Sequence, residues 1–124
     1  VLLAALLVSD AQVELAGTDD RPLPDVLRDG VPEGALITAV TIDPSGQGAV
    51  AATGRTPGDV PIVAAVARRR GDGEIVSALT GVGDVPSLHD PAPQLAPPAD
   101  FRGSSEYRLE LARVLHDRAT GAVR

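Results

Sequence analysis

The stretch VPIVAAVARRRGDGEIVSALTGV, residues 60–82, contains two apolar runs separated by the four residues Arg-Gly-Asp-Gly. An Asp-Gly pair between two runs of this kind is typical of a β-hairpin. The runs therefore predict antiparallel strands at 60–69 and 74–82. Alternation along the strands assigns the side chains that face one another, namely Ile62, Ala64 and Val66 opposite Ile75, Ser77 and Leu79.

A third strand and a long helix are predicted on either side of this hairpin. The run AVAAT, 49–53, predicts a strand that follows a loop at 44–48. The run SSEYRLELARVLHDRA, 104–119, predicts an amphipathic helix capped by Ser104 and stopped by Gly121. The spacing of its side chains predicts a buried stripe of Tyr107, Leu111, Val114, Leu115 and Arg118.

Residues 83–100 are rich in proline, which predicts an extended connection without a helix or strand of its own. Because this segment is long and forms no element, it is also the expected docking surface for a partner.

The beginning of the chain predicts a smaller group of elements. They are a buried helix at 1–10, a strand at 11–17, a helix at 23–30 and a half-buried strand at 35–43. The second of these helices carries the start and stop signals Pro24, Asp25 and Gly30.

Together the elements predict an α+β fold. A small antiparallel sheet of about three strands has a C-terminal helix packed on one face, and a partial α/β lobe precedes it. The expected boundary is the 44–48 loop, so residues 1–45 form the lobe and residues 46–124 form the C-terminal α+β domain.

The composition excludes several kinds of site. The chain has 124 residues, a net charge of −6 and no cysteine, and all eleven basic residues are arginines. Without cysteine there is no disulfide, no thiolate nucleophile and no iron–sulfur ligation. Without lysine there is no Schiff base and no phosphate-loop lysine. An acidic chain that lacks a basic stripe is a poor partner for nucleic acid.

The opening run VLLAALLV, 1–8, is apolar but too short to span a membrane. It also lacks the basic flank of a signal peptide, so a buried helix is favoured over a targeting segment. The chain begins with Val1 and contains no methionine. We therefore expect it to be a piece of a longer protein.

Few side chains are candidates for chemistry, and none is assigned a catalytic role. His89 and His116 are the only histidines, and two histidines without a third nitrogen ligand make a poor zinc site, so no metal is expected. We interpret His116 as a helix-end residue placed favourably against the helix dipole. Arg108 and the other charged residues of the same helix predict a solvated, ion-paired face.

Two glycine-containing segments have alternative interpretations. GVGDVP, 81–86, is either a turn or a weak phosphate-loop signal, and the turn is favoured because the full fingerprint and a following helix are absent. LAGTDD, 15–20, has one glycine and two aspartates that would repel phosphate, so a strand end followed by an acidic turn is favoured.

Four segments, in this order, resemble the FAD-binding subunit of molybdenum hydroxylases of the xanthine dehydrogenase and carbon monoxide dehydrogenase type. They are LLVSDAQVELAGTDDRPLPDVLRDG (6–30), EGALITAVTI (33–42), IVSALTGVGDVP (75–86) and SSEYRLELARVLHDRA (104–119). The last is similar to that family's final helix, in which Glu-Tyr-Arg precedes Leu-Ala-x-Val-Leu and Arg-Ala. The resemblance covers nearly the whole chain but only the C-terminal half of the subunit.

The resemblance implies an oxidoreductase role only as part of a complex. It implies FAD as the cofactor, held at its pyrophosphate by Gly-rich loops of the absent first half. This half would contact the isoalloxazine end through Leu36 and Ile37, and through the start of a strand at Asp59 and Val60. The implied partners are a molybdenum-cofactor subunit and a [2Fe–2S] iron–sulfur subunit, in the cytoplasm and with no membrane contact. The chain alone is expected to bind FAD weakly or not at all.

Departures from the family pattern qualify this expectation. Ala35 stands where the family usually has Glu, and Thr80 replaces the first glycine of a Gly-Gly pair. Ala51 and Ala52 stand where the family often places a lysine near the flavin. The resemblance therefore implies an apolar wall without the cation that would stabilise a reduced, anionic flavin. The alternative function is a non-catalytic interaction domain that has lost the flavin-phosphate half.

Overall fold

The computed structural model describes residues 1–89 and 95–124. The helices are α1 (Leu2–Val8), α2 (Leu23–Asp29) and α3 (Ser105–Ala122). The strands are β1 (Gln12–Ala16), β2 (Arg21–Pro22), β3 (Leu36–Thr41), β4 (Gln47–Thr53), β5 (Val63–Arg69), β6 (Ile75–Thr80) and β7 (Ser87–Leu88). The predicted α+β class is confirmed.

The first sheet has the antiparallel order β2-β1-β3. Val13 and Leu15 of β1 are buried, together with side chains of α1 and α2. All six residues of β3 are exposed, so the prediction of a half-buried strand is wrong for this part of the chain. The two-residue β2 lies directly before the predicted helix at 23–30, where the sequence predicts no strand.

The helix α2 has the signals that the sequence predicts. A proline stands in its first turn beside Asp25, and Gly30 ends it with a φ of 78°. That positive φ is readily adopted by glycine, because glycine has no Cβ.

The second sheet has the antiparallel order β4-β5-β6-β7. The hairpin of β5 and β6 is confirmed, but the sheet has four strands rather than about three. The additional strand β7 lies inside the segment predicted to be an extended connection. Residues 90–94 of that connection lie outside the described residues.

The register of the hairpin differs from the prediction by one residue. Ala65 pairs with Leu79 and Ala67 with Ser77, so the residues predicted to face Ser77 and Leu79 lie on the other side of the strand. Val66 belongs to a cluster with α1, whereas Ala65 and Ala67 belong to a cluster with α3. Strand β5 is therefore buried on both faces, and its run of five apolar residues, 63–67, lacks the alternation that would reveal the register.

Helix α3 packs on β4, β5 and β6, as predicted. The Ser104 hydroxyl accepts the Tyr107 N–H at 3.2 Å, which confirms the N-cap. The helix continues through Gly121, so the predicted stop is wrong. Its buried face is also rotated from the predicted stripe, since Tyr107 and Arg118 are exposed. The apolar side chains buried on this side are Ala112, Leu115, Ala119 and Val123.

A buried arginine joins the two sheets. Arg68 of β5 is only 4% exposed, and its guanidinium donates to the backbone carbonyls of Val8 at 2.9 Å and Ser45 at 2.8 Å. It also pairs with the carboxylates of Asp10 and Asp43. The loop after β3 and the end of α1 are thereby fixed to the second sheet.

The Asp43 carboxylate gives stability that acid removes. The Ser45 backbone N–H, the Arg68 guanidinium and the Ser45 hydroxyl lower the pKa of Asp43 from 3.8 to about 2. Because this pKa is lower in the folded state, the contribution is complete above about pH 4 and is lost as the pH falls towards 2. We expect the stability difference between the native chain and Asp43→Asn to shrink over that interval in urea unfolding experiments. A difference that stays constant from pH 6 to pH 2 would contradict this assignment.

The division of the chain at residue 45 stays a prediction. The first hydrophobic cluster contains α1 and β1 side chains together with Val66 and Ala78 of the second sheet. No helix in the described ranges is long and apolar enough to cross a membrane.

Candidate functional site

The loop between β4 and β5 holds two of the four residues expected to contact a flavin. Asp59 and Val60 lie in this loop and not at the start of a strand, because β5 begins at Val63. The Asp59 carboxylate accepts the Thr56 N–H at 3.1 Å, and the Asp59 N–H donates to the Thr56 carbonyl at 3.1 Å. These bonds fix the loop while Val60 remains 69% exposed.

A cavity of about 410 Å³ opens beside this loop. Its walls are formed by Arg55, Gly58, Asp59, Val60, Ile62, Phe101 and Arg102. The volume is within the range of small-molecule and cofactor sites. The wall combines exposed apolar side chains with two cations and one carboxylate, a composition suited to a planar group that carries negative charge.

Phe101 lies close to both arginines of the cavity wall. Its ring is 79% exposed, and the guanidinium carbons of Arg55 and Arg102 lie 5.7 Å and 5.6 Å from the ring centroid. Arg55 also donates to the Phe101 carbonyl at 2.6 Å. Cation–π contact at these distances favours the observed placement of both guanidinium groups.

A second buried arginine positions the cavity walls. Arg108 of α3 is 5% exposed, and it donates to the carbonyls of Ile62 at 3.1 Å and Gly81 at 2.9 Å and to the Asp100 carboxylate at 2.9 Å. The helix therefore holds the end of the 54–62 loop and the segment before Phe101. The prediction that Arg108 belongs to a solvated face is wrong, and this residue is the arginine of the Glu-Tyr-Arg run.

Gly81 makes this close approach of two strands possible. Its φ is 87°, and a Cβ added there would lie 2.1 Å from the Ile62 carbonyl oxygen. A residue with a side chain would separate the two carbonyls that Arg108 bridges. The segment 81–86 thus contains a backbone turn at this glycine, in agreement with the favoured interpretation.

Leu36 and Ile37 lie in the other sheet. They pair with Ala16 and Leu15 across β1 and β3, and both side chains are exposed. Neither is part of the cavity wall beside Asp59 and Val60 as the described residues form it. The structure therefore provides two separate exposed apolar surfaces at the expected flavin-contact positions.

Arg55 and Arg102 were not identified from the sequence as site residues. Ala51 and Ala52, at the position where the family often has a lysine, lie on β4 and provide no charge. Two guanidinium groups nevertheless line the cavity beside Val60. The available signal was weak, since it consisted of Arg102 next to Phe101, one of only two aromatic residues in the chain, and nothing in the sequence linked Arg55 to them.

The two histidines come together without forming a metal cluster. The His89 and His116 rings have centroids 4.0 Å apart and are tilted by 40°. Helix α3 continues past His116 to Ala122, so the interpretation of His116 as a helix-end residue is wrong. Within residues 1–89 and 95–124, no group of three or more potential ligands is placed to hold a metal ion.

The comparisons with known proteins identify the fold. No protein-family model matches the chain, and no curated protein sequence matches it. Among solved structures, it is similar to a chain of CO dehydrogenase from Oligotropha carboxidovorans, with a TM-score of 0.82 and 23% identity over 100% of this chain. It is also similar to a chain of carbon monoxide dehydrogenase from Hydrogenophaga pseudoflava (TM-score 0.82, 17% identity, 98% of this chain). A chain of quinoline 2-oxidoreductase from Pseudomonas putida 86 gives the same TM-score of 0.82, at 17% identity over 99% of this chain.

These likenesses confirm the fold that the sequence resemblance implied. The chain spans 57% of the matched Oligotropha chain and 55% of the matched Hydrogenophaga and Pseudomonas chains. At 17–23% identity they establish architecture and not activity.

Proposed function

We propose that the chain is part of the FAD-binding subunit of a molybdenum hydroxylase. In this proposal it helps to position the flavin that passes electrons from [2Fe–2S] clusters to an external acceptor. The observation that carries the proposal is the agreement over nearly the whole chain with carbon monoxide dehydrogenase and quinoline 2-oxidoreductase chains. The sequence resemblance, based on the order of four segments, supports the same assignment.

In this proposal, the two separate exposed surfaces would contact the isoalloxazine end of FAD. Leu36 and Val60 present apolar surface to solvent, and burial of such surface against a flat ring system is favourable by about 25 cal/mol per Å². Arg55 and Arg102 add positive charge beside Val60, which favours electron-rich states of a bound ring. FAD, when bound, supplies the redox chemistry, and these side chains supply binding and orientation.

The pyrophosphate of FAD requires a different kind of surface. Backbone N–H groups in Gly-rich loops or at helix N-termini bind phosphate, and in the family that this chain resembles such loops belong to the first half of the subunit. We propose that FAD is shared with that missing half, and that binding to this chain alone is weak. The division into a lobe remnant (1–45) and a C-terminal domain (46–124) belongs to the same proposal.

The proposed partners follow from the electron path. The chain has no cysteine to ligate a cluster, so the donor must lie on another polypeptide or in another part of the same one. An iron–sulfur subunit and a molybdenum-cofactor subunit, in the cytoplasm, would complete the complex. The segment 83–100, with 90–94 outside the described residues, stays the proposed docking surface.

Flavin content tests the proposal directly. We expect the 124-residue chain to bind FAD more weakly than micromolar in calorimetry, and the protein isolated from its native source to be yellow with a flavin spectrum. In the complete protein, Leu36→Asp should lower the flavin content several-fold, because a charge would replace apolar contact with the ring. Leu109→Asp is the matched control, since Leu109 is also exposed but lies on α3.

Two results would contradict the proposal. The first is a native protein that is colourless and is purified without any molybdenum or iron–sulfur partner. That result would favour the alternative function, an interaction domain that has lost the flavin-phosphate half. Equal flavin content in the Leu36→Asp and Leu109→Asp proteins would remove Leu36 from the proposed contact.

A further inference from the structure

Strand β3 is an edge strand with unusual composition. It pairs with β1 on one side, and no described strand pairs with its other side. Residues 36–42 are LITAVTI, without a charge, a proline or a glycine. Exposed edges of natural sheets usually carry charged residues or proline, because these prevent pairing with other chains. The outer edge of β3 is therefore open to another strand.

The face of β3 that looks towards the core is also incomplete. Val13 and Leu15 of β1 are buried among α1 and α2 side chains. Their partners across the sheet, Val40 and Ile37, are 43% and 46% exposed. The apolar face of the sheet thus continues from β1 onto β3, beyond the area that the two helices cover.

A β-bulge fixes this arrangement. Glu14 pairs with Ala39 and Leu15 with Ile37, so Thr38 is the extra residue on β3. The Thr38 hydroxyl donates to the Glu14 carbonyl at 3.2 Å. A bulge shifts the phase of the strand by one residue, and here it keeps both Ile37 and Val40 on the core side.

We propose that β3 is an interior strand of a larger sheet, completed by a β-strand and a covering element from the rest of a longer polypeptide. The matched chains are longer than this one, which spans only 55–57% of them. The inference rests on the proposed function in one respect, that the chain is a piece of that longer subunit. The inference adds the surface through which this chain would join the rest of that subunit.

A second copy of this chain fits the surface less well. Two β3 strands paired edge to edge would satisfy their backbone groups. The helices of each copy would still cover only the region of β1 and β2, and the apolar side chains of both β3 strands would remain open. A strand with an attached covering element satisfies the backbone and the apolar face together.

The same arrangement would order the predicted flavin contact. Leu36 is the first residue of β3 and pairs with Ala16 on the face opposite to Val13 and Leu15. Pairing of β3 on both sides would restrict the backbone at Leu36. Strand β3 would then both pair with the rest of the subunit and carry the residue proposed to contact the flavin.

Hydrogen–deuterium exchange tests the inference. The 124-residue chain would be compared with the protein purified from its native source. In the native protein, the peptide containing residues 36–42 should exchange roughly tenfold more slowly or more, because amides on the outer edge of β3 gain partners. The β1 peptide, already paired on both sides, is the internal reference and should change little.

A matched pair of substitutions adds a second measurement. Val40→Lys places a charge on the uncovered face, whereas Leu109→Lys makes the same change on α3 at a similar exposure of 41%. In the complete protein, Val40→Lys should reduce slow exchange at 36–42, and Leu109→Lys should not. Circular dichroism of both variants as 124-residue chains checks that each one folds.

Three outcomes would overturn the inference. Fast exchange at 36–42 in the native protein would mean that the edge is uncovered. Slow exchange in the isolated chain, as a dimer in sedimentation, would make a second copy the occupant, and slow exchange in a monomer would mean that no partner is needed. Slow exchange only in a native protein without flavin would support the joint and reject the proposed function.

Discussion

Replacement of Arg68 by methionine is expected to lower the free energy of unfolding by roughly 3–5 kcal/mol. The substitution would leave the carbonyls of Val8 and Ser45 and the carboxylates of Asp10 and Asp43 without the guanidinium that bonds to all four. The Val8 carbonyl bonds to Arg68 in a buried position, where an unpaired polar group is costly because water cannot replace the lost partner. The two carboxylates are half-exposed and would stay in contact with water. The loss is a large share of the roughly 5–15 kcal/mol by which a domain is stable.

The adjacent residue provides the control. Arg69 donates to the Gln47 side chain at 3.0 Å in an exposed hydrogen bond, and such contacts contribute about 1 kcal/mol or less. Urea unfolding of Arg68→Met and Arg69→Met should therefore give clearly different midpoints. Equal losses in the two variants would show that the Arg68 network is not a main source of stability. The free energy of unfolding of Arg68→Lys should lie between those of Arg68→Met and Arg69→Met, since lysine keeps the charge but not the planar guanidinium.

Replacement of Arg108 by methionine is expected to cost roughly 3 kcal/mol or more and to loosen the candidate cavity. The guanidinium bonds the Ile62 and Gly81 carbonyls and the Asp100 carboxylate, and so connects three segments to α3. Without these bonds the 54–62 loop and the segment around Phe101 would move independently of the helix.

Limited digestion with trypsin reports this loosening at the cavity itself. Arg55 and Arg102 line the cavity and are followed by Thr56 and Gly103, so both are potential cleavage sites. In Arg108→Met, cleavage after these two arginines should be faster than in the native chain under conditions where both are folded. Arg113→Met is the control, because Arg113 is exposed and pairs only on the helix surface. Equal digestion rates in the two variants would contradict the positioning role of Arg108.

The parts of the fold that the sequence predicts correctly have local physical signals. Helix α2 is marked by Asp25 in its first turn and Gly30 at its end, and α3 by the Ser104 cap. The β5–β6 hairpin is marked by its Asp-Gly pair. The register of the hairpin has no such local signal. Strand β5 is apolar at successive positions, so a shift of one residue would still place apolar side chains on both faces.

Other features depend on distant parts of the chain, and the sequence either misses them or predicts them incorrectly. The burial of Arg68 and Arg108 depends on carbonyls far away in sequence, so a helix or strand pattern cannot indicate it. The exposure of β3 depends on what covers it, and a β-branched run looks the same with or without a cover. The cavity requires the 54–62 loop and Phe101 to meet, and that meeting follows from the Arg108 contacts.

Strand β5 also limits how this chain can vary. Ala64, Ala65 and Ala67 are completely buried, and α1 and α3 pack against the strand from opposite sides. Side chains this small set the spacing of three layers at once, so an added methylene at any of them would push on both a sheet and a helix. Selection acting on these positions would therefore impose a ceiling on side-chain volume, while the exposed residues of β3 would be free to diverge together with whatever segment they contact.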